Sequence, residues 1–229
     1  MNLNKCFMKN LRFAVLLIPV LFAVFAVMRW GFLFRAGVSA SCAIIVWFMT
    51  RQFTDNSKWY LIAALLISIG GDWFMSHTRG ILVRFIYGVC LFFVAHLGFI
   101  GFCLKNGRIN RYVLIPLLTA YLFFFFIALR PAISHPVEFI TILAYLIISC
   151  FSFALATGLR LTFPTKLIFS FGIALLVFSD TLIALKNFAG YKDFAFLILP
   201  TYFASHIVIT LAIINTSTSP PSATSSTST

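Results

Sequence analysis

Acidic side chains are scarce in this sequence: five Asp and Glu stand among 229 residues, and only 10% of the residues are charged. A soluble domain carries about 25% charged residues. Because 62% of the residues are hydrophobic, no water-soluble fold of this length could bury the apolar surface. The composition therefore excludes a soluble domain and predicts an integral membrane protein.

Cysteine motifs and clusters of charge are also lacking. The five cysteines show no CxxC spacing and fall mostly within apolar stretches, as small buried hydrophobic residues do. No HExxH or comparable spacing occurs, and we expect no metal or other cofactor. The net charge of +12 comes from Lys and Arg that stand singly. This distribution is typical of contact with anionic lipid and disfavours a nucleic-acid partner.

Apolar stretches fill most of the chain, each close to the roughly 20 residues that a helix needs to cross a bilayer. We predict an all-α, polytopic membrane bundle of about eight transmembrane helices. It forms a single domain over residues 1–214, followed by a disordered tail rich in Ser, Thr and Pro at 215–229. The predicted spans are about 11–28, 36–50 (from about 32 if Arg35 snorkels to the interface), 59–76, 81–104, 112–129, 136–158, 167–185 and 194–214.

The basic residues suggest an orientation in the membrane. With a cytoplasmic N-terminus, ten Lys and Arg fall on the inner side and seven on the outer side, in the sense of the positive-inside rule. We therefore expect a multi-pass protein with both termini in the cytoplasm. In a bacterium it would lie in the inner membrane.

The two halves of the chain share a pattern of ionisable residues inside these spans. Asp72 in the third span is followed by His96 in the fourth, and Asp180 in the seventh is followed by His206 in the eighth, at nearly the same separation along the sequence. Because an offset of four helices preserves orientation, this correspondence predicts two parallel four-helix repeats. Asp72 and Asp180 would then lie at comparable depth and face each other across the repeat axis.

A carboxylate in the middle of a membrane helix costs about 2.5–3.5 kcal/mol, so such residues normally mark a partner, a cavity or a function. Ser68 lies one helical turn before Asp72, Gly71 leaves room beside it, and Ser179 directly precedes Asp180. We predict a polar pocket in which Asp72 and Asp180 are catalytic. Water or substrate would be positioned by Ser68, His96, Ser179, Tyr202, His206 and Arg35. The alternative is that these polar side chains only join the helices by hydrogen bonds.

At these residues the chain resembles the YhhN-like family of membrane proteins, which includes the lysoplasmalogenases. The resemblance covers about residues 11–214 and lies in Ser68-x-x-Gly71-Asp72, Phe93-x-Ala95-His96, Phe178-Ser179-Asp180 and Tyr202-Phe203-Ala204-x-His206. It implies hydrolysis of the vinyl ether bond of lysoplasmalogens to a fatty aldehyde and a glycerophospho-ethanolamine or -choline. The partners that it implies are a lysophospholipid substrate and the lipid bilayer.

The predicted carboxyl pair suits chemistry of that kind. Hydrolysis of a vinyl ether needs an acid that protonates the outer alkene carbon, and an anion that stabilises the resulting oxocarbenium ion until water captures it. In a water-poor site, desolvation and a neighbouring like charge favour the protonated form of one carboxyl of a pair. We therefore expect one Asp to act as the acid and the other to orient water, with the two roles still open between them.

Three other functions fit parts of the pattern. A membrane transporter or channel could use the Asp and His pairs as a proton or substrate path, although the polar residues concentrate around the two pairs. An intramembrane aspartyl protease also needs two Asp on separate helices, but its Pro-Ala-Leu element is absent from the sequence. In a lipid-binding or assembly protein the polar residues would be structural.

Overall fold

The computed structural model describes residues 13–51 and 56–216. The secondary-structure elements in these ranges are helices: α1 (Leu17–Val27), α2 (Phe32–Thr50), α3 (Lys58–Ser76), α4 (Leu82–Asn106), α5 (Arg111–Phe124), α6 (Pro136–Ala156), α7 (Phe163–Phe188) and α8 (Ile198–Thr216). α5 continues as a π-helical turn over Phe125–Leu129, and short 3-10 turns at Arg130–Ala132 and Ala195–Leu197 lead into α6 and α8.

Seven helices in the described part of the chain are long and apolar enough to cross a membrane. The eighth, α1, has 11 residues, so it extends about 16 Å at 1.5 Å per residue. That is shorter than the hydrocarbon core of about 30 Å. The first predicted span begins at residue 11, which lies outside the described residues. The fold is a polytopic helical bundle, as predicted.

The helices extend beyond several of the predicted spans because basic residues do not end them. α2 begins at Phe32, so Arg35 lies in its first turn. α7 runs over Phe163–Phe188 instead of 167–185 and includes a lysine near each end. Long basic side chains can reach the interface from within a helix, so a charge is a poor marker of its end. α8 also continues to Thr216, two residues into the predicted tail; the rest of that tail lies outside the described residues.

The packing of the helices repeats between the two halves. In the first half α1 packs on α2, α2 on α3 and α3 on α4; in the second, α5 packs on α6, α6 on α7 and α7 on α8. Two contacts between the halves are also related, because α2 packs against α8 and α6 packs against α4. A shift by four helices converts each of these pairs into its counterpart. In the described part of the chain α1 also packs against α8, and no comparable contact joins α5 to α4. The packing therefore agrees with the predicted pair of parallel four-helix repeats.

Small residues set the depth at which the helices of each hairpin meet. A methyl group added at Gly98 of α4 would lie 2.7 Å from the Tyr60 carbonyl oxygen on α3. One added at Gly172 of α7 would lie 3.1 Å from the backbone nitrogen of Ile209 on α8. Glycine is needed at both points because backbones approach each other there. These contacts fix the height of the polar residues that the hairpins carry.

Candidate active site

Asp72 lies one turn before the end of α3 and is 5% exposed. The hydroxyl of Tyr202 on α8 donates a hydrogen bond to Asp72 Oδ2 over 3.2 Å. Ser68, one turn earlier on α3, lies beside the same phenol and donates to the Ala64 carbonyl over 2.8 Å. A buried carboxyl needs such donors. The two halves of the chain therefore meet at Asp72.

Asp180 of α7 is held by a histidine from the other half of the chain. The distance from His96 Nε2 on α4 to Asp180 Oδ2 is 3.3 Å, and the two side chains are 1% and 12% exposed. The Oγ of Ser149 on α6 lies 3.5 Å from the same nitrogen. The ring of Tyr145, one turn earlier on α6, packs edge-on against the imidazole with a centroid distance of 5.4 Å.

His206 occupies in α8 the place that His96 occupies in α4. Its Nδ1 lies 3.0 Å from Ser39 Oγ on α2, and both residues are fully buried. The ring also packs against Tyr202, with a centroid distance of 4.6 Å. Each histidine thus contacts a serine on the second helix of the opposite half.

The two carboxyls belong to one polar cluster, which we define as Asp72, Tyr202, Asp180, His96 and Tyr145. The hydroxyl of Tyr202 interacts electrostatically with both Asp72 and Asp180, and Tyr145 interacts with Asp180 and Tyr202. Tyr202 therefore lies near both carboxyls, and Tyr145 lies near Asp180. Carboxyl, imidazole and phenol are all groups that transfer protons, so the polar cluster has the components of acid–base catalysis.

Arg35 places a positive charge at one edge of the polar cluster. Its Nη1 donates to Ser76 Oγ over 2.8 Å, and Ser76 Oγ donates to the Asp72 carbonyl over 2.6 Å. The guanidinium also interacts electrostatically with the Asp72 carboxyl. Because Arg35 lies in the first turn of α2 and Ser76 is the last residue of α3, this edge faces the membrane interface.

Ser179 and Gly71 both contact a neighbouring helix. Ser179 donates to the carbonyl of Ile198 over 3.0 Å and so joins α7 to the start of α8. At Gly71 an added methyl group would lie 2.6 Å from the ring of Phe92 on α4. The room beside Asp72 on that side is therefore filled by a neighbouring helix.

Four residues that contact the two Asp residues or the histidines were not predicted from the sequence: Ser39, Ser76, Tyr145 and Ser149. Ser39 and Ser149 stand as far apart in the sequence as the two histidines do, so extending the repeat to the second and sixth spans would have found both. Ser76 lies four residues after Asp72 and shares its face. Tyr145 could have been found in a similar way, since it lies four residues before Ser149, just as Arg35 lies four residues before Ser39.

Among the residues that the structure describes, no group of three or more His, Cys, Asp and Glu could hold a metal ion. The side chains that meet are pairs, Asp with Tyr and Asp with His. The expectation that the site works without a metal or other cofactor stays a prediction.

The fold and the polar cluster define a class, the multi-pass helical membrane proteins that hold a pair of carboxyls inside the bundle. Within this class the YhhN family model matches residues 11–213, and the chain belongs to the YhhN family. Membership confirms the resemblance seen in the motifs and makes the chain a lysoplasmalogenase-like membrane protein. No curated protein and no solved structure matches it.

Proposed function

We propose that this protein hydrolyses the vinyl ether bond of lysoplasmalogens within the membrane, by acid–base catalysis that uses Asp72 and Asp180. The products would be a fatty aldehyde and a glycerophospho-ethanolamine or -choline. The main support is the position of both carboxyls inside one polar cluster, where Tyr202 holds the buried Asp72 at 3.2 Å and His96 holds the partly buried Asp180 at 3.3 Å. The bilayer would present the apolar chain of the substrate to this site.

The chemistry needs two proton transfers that act in opposite directions. A proton added to the outer alkene carbon produces an oxocarbenium ion, and water then bonds to the carbon next to the ether oxygen and loses a proton. The hemiacetal that results separates into the aldehyde and the glycerol hydroxyl. One group must therefore donate a proton and another must accept one. A carboxylate beside the developing cation stabilises it, because the site holds the charge in position before the reaction.

Arg35 would bind the phosphate of the headgroup. A guanidinium presents five N–H donors in a geometry that fits phosphate oxygens, and the bond to Ser76 uses one donor at the edge of the polar cluster. Asp72 lies one helical turn from Ser76 along α3, about 6 Å. That rise suits the glycerol unit that joins the phosphate to the ether oxygen. The remaining predicted side chains, Ser68, Tyr202 and His206, would position Asp72 and water.

The test is incubation of the purified protein with a lysoplasmalogen, following aldehyde release. An acyl-linked lysolipid with the same headgroup serves as the control. We expect aldehyde from the vinyl ether and no fatty acid from the acyl lipid. Fatty acid release from the control would indicate an esterase, and the absence of product from both lipids would contradict the proposed hydrolysis.

The repeated packing favours one alternative, since parallel helix repeats also occur in transporters. In that function the Asp and His pairs would form a proton or substrate path through the bundle. Reconstituted vesicles with an imposed proton gradient separate the two functions. Proton flux that depends on Asp72 and Asp180, without aldehyde release, would support the transporter.

We also propose that both termini lie in the cytoplasm, from the excess of basic residues on that side. In this orientation the Arg35 edge of the polar cluster faces the outer leaflet, because Arg35 lies in the first turn of α2 and Ser76 is the last residue of α3. A membrane-impermeant thiol reagent should then label a cysteine introduced at Arg79 in intact cells. It should not label one introduced at Arg108. The reverse pattern would invert the orientation.

A further inference from the structure

The contacts of His96 determine which of its ring nitrogens carries the proton. Nε2 lies 3.3 Å from a carboxyl oxygen of Asp180 and 3.5 Å from Ser149 Oγ. The proton of that serine is already used, because Ser149 Oγ donates to the Tyr145 carbonyl over 2.9 Å. With Asp180 in the carboxylate form, both neighbours of Nε2 offer acceptors, a carboxylate oxygen and a hydroxyl lone pair. The N–H of a neutral imidazole is then on Nε2.

The other ring nitrogen of His96 is then an acceptor. Within the described residues no hydrogen-bond partner reaches Nδ1, although the atom is buried. Buried polar atoms in folded proteins nearly always have a partner. An unprotonated imidazole nitrogen of this kind, beside a pair of carboxyls, is suited to accept a proton from a water molecule in the site.

The contacts of His206, the equivalent histidine, do not determine its tautomer. His206 Nδ1 meets the hydroxyl of Ser39 over 3.0 Å, and a hydroxyl can either donate or accept. That contact leaves the tautomer of His206 open, whereas the carboxylate of Asp180 fixes the tautomer of His96. Each histidine has one buried ring nitrogen without a partner among the described residues. His96 is the one whose other nitrogen meets a carboxyl, and this contact arranges it as a base.

We infer that His96 is the general base of the proposed hydrolysis, acting through Nδ1, and that Asp72 is the general acid. This inference rests on the proposed function and refines it. Asp180 becomes a positioning residue, which keeps the imidazole in the Nε2–H form. Asp72, whose partner is the phenol of Tyr202, is the carboxyl that remains to donate a proton.

The proton transfers balance with these roles. Asp72 gives its proton to the outer alkene carbon, and the oxocarbenium ion forms beside the resulting carboxylate. Water bonds to the cationic carbon while His96 Nδ1 takes one of its protons. The hemiacetal hydroxyl then gives its proton to Asp72, the bond between carbon and the glycerol oxygen breaks, and protonated His96 gives its proton to that oxygen. One water is consumed, and both residues return to their starting forms.

The first test is His96→Gln. A glutamine amide can donate to Asp180 as Nε2–H does, but it has no basic nitrogen. We expect kcat to fall by about 10²- to 10⁴-fold, with little change in KM or in binding of the saturated alkyl-ether lysolipid, which cannot be hydrolysed by this route. The matched control is His135→Gln, in the exposed residue before α6, which should turn over normally.

The second test is a double variant, because Asp180 is inferred to act through His96. Asp180→Asn alone should lower kcat, since an amide can donate to the imidazole and favour the other tautomer. In the His96→Gln background, Asp180→Asn should lower kcat little further, because the base that Asp180 positions is already lost. Effects that multiply would show that Asp180 acts directly on the reaction and would overturn the inference.

Binding of the saturated ether lipid separates a chemical defect from a folding defect. If His96→Gln fails to bind it, His96→Asn is measured in its place, since that amide also lacks a basic nitrogen. If an amide variant that binds the lipid turns over the substrate at the wild-type rate, the role of His96 is overturned. Failure of the unchanged protein to release aldehyde would instead count against the proposed function.

Discussion

The two halves of the bundle place equivalent residues around two carboxyls but surround them differently. Asp72 corresponds to Asp180, and Phe92 corresponds to Tyr202, since each of these two aromatic residues lies four positions before the histidine of its helix. Tyr202 has a hydroxyl and holds Asp72, whereas Phe92 has none, and Asp180 is held by His96 instead. The hydroxyl oxygen that Tyr202 has and Phe92 lacks thus goes with a difference in partner: one carboxyl pairs with a phenol and the other with an imidazole.

A second difference lies on the α2 and α6 sides of the polar cluster. Arg35 and Tyr145 occupy equivalent positions, each one helical turn before the serine that contacts a histidine. Arg35 interacts electrostatically with Asp72, and Tyr145 lies beside Asp180. A guanidinium stabilises the carboxylate that Asp72 would become after donating its proton. Both differences between the halves therefore favour unlike roles for the carboxyls, as hydrolysis of a vinyl ether requires.

The largest effect should come from Asp72→Asn, which removes the acid from one half and leaves the other intact. We expect aldehyde release to fall by about 10²- to 10⁴-fold. The fold should survive, because the amide oxygen can still accept the bond from Tyr202. Aldehyde assays together with thermal unfolding in detergent measure both outcomes. Asp193→Asn, in an exposed loop residue, is the matched control, and full activity of Asp72→Asn would remove Asp72 from the mechanism.

The fold could be predicted from composition and span length because the bilayer imposes both. The helix ends could not be predicted, because basic residues lie inside the helices near their ends, as Arg35 does in α2. The intramembrane carboxyls could be found because they are costly there. Their partners could not, because spacing pairs each Asp with the His of its own half, whereas α4 packs so that His96 meets Asp180. Which Asp meets which His depends on tertiary packing, and the local sequence does not determine that packing.

A smaller effect should come from Tyr202→Phe, which gives both halves a phenylalanine at the equivalent position. The change leaves a buried carboxyl oxygen of Asp72 without its donor, a loss of about 1–3 kcal/mol. We expect the free energy of unfolding to fall by that amount and aldehyde release to slow by about tenfold. Tyr112→Phe, at a residue that is 88% exposed, should change neither quantity. Unchanged activity in Tyr202→Phe would mean that the phenol does not position the acid.

The smallest effects compare the two serines that contact the histidines. Ser39→Ala and Ser149→Ala each remove a buried hydroxyl, and each should lower the free energy of unfolding by about 0.5–1.5 kcal/mol. Their effects on turnover should differ. Ser149→Ala takes away one of the two acceptors that keep the proton on Nε2 of His96, so kcat should fall modestly while lipid binding is unchanged.

Ser39→Ala disturbs the contact of His206, which meets this hydroxyl and, among the described residues, no carboxylate. It should therefore slow turnover less than Ser149→Ala does. The pair is informative because the two variants remove the same atoms from equivalent helices, α2 and α6, at similar burial. Any difference in kcat then reflects the histidine that each serine contacts. A larger loss in Ser39→Ala would place the base at His206 and reverse the roles of the two halves.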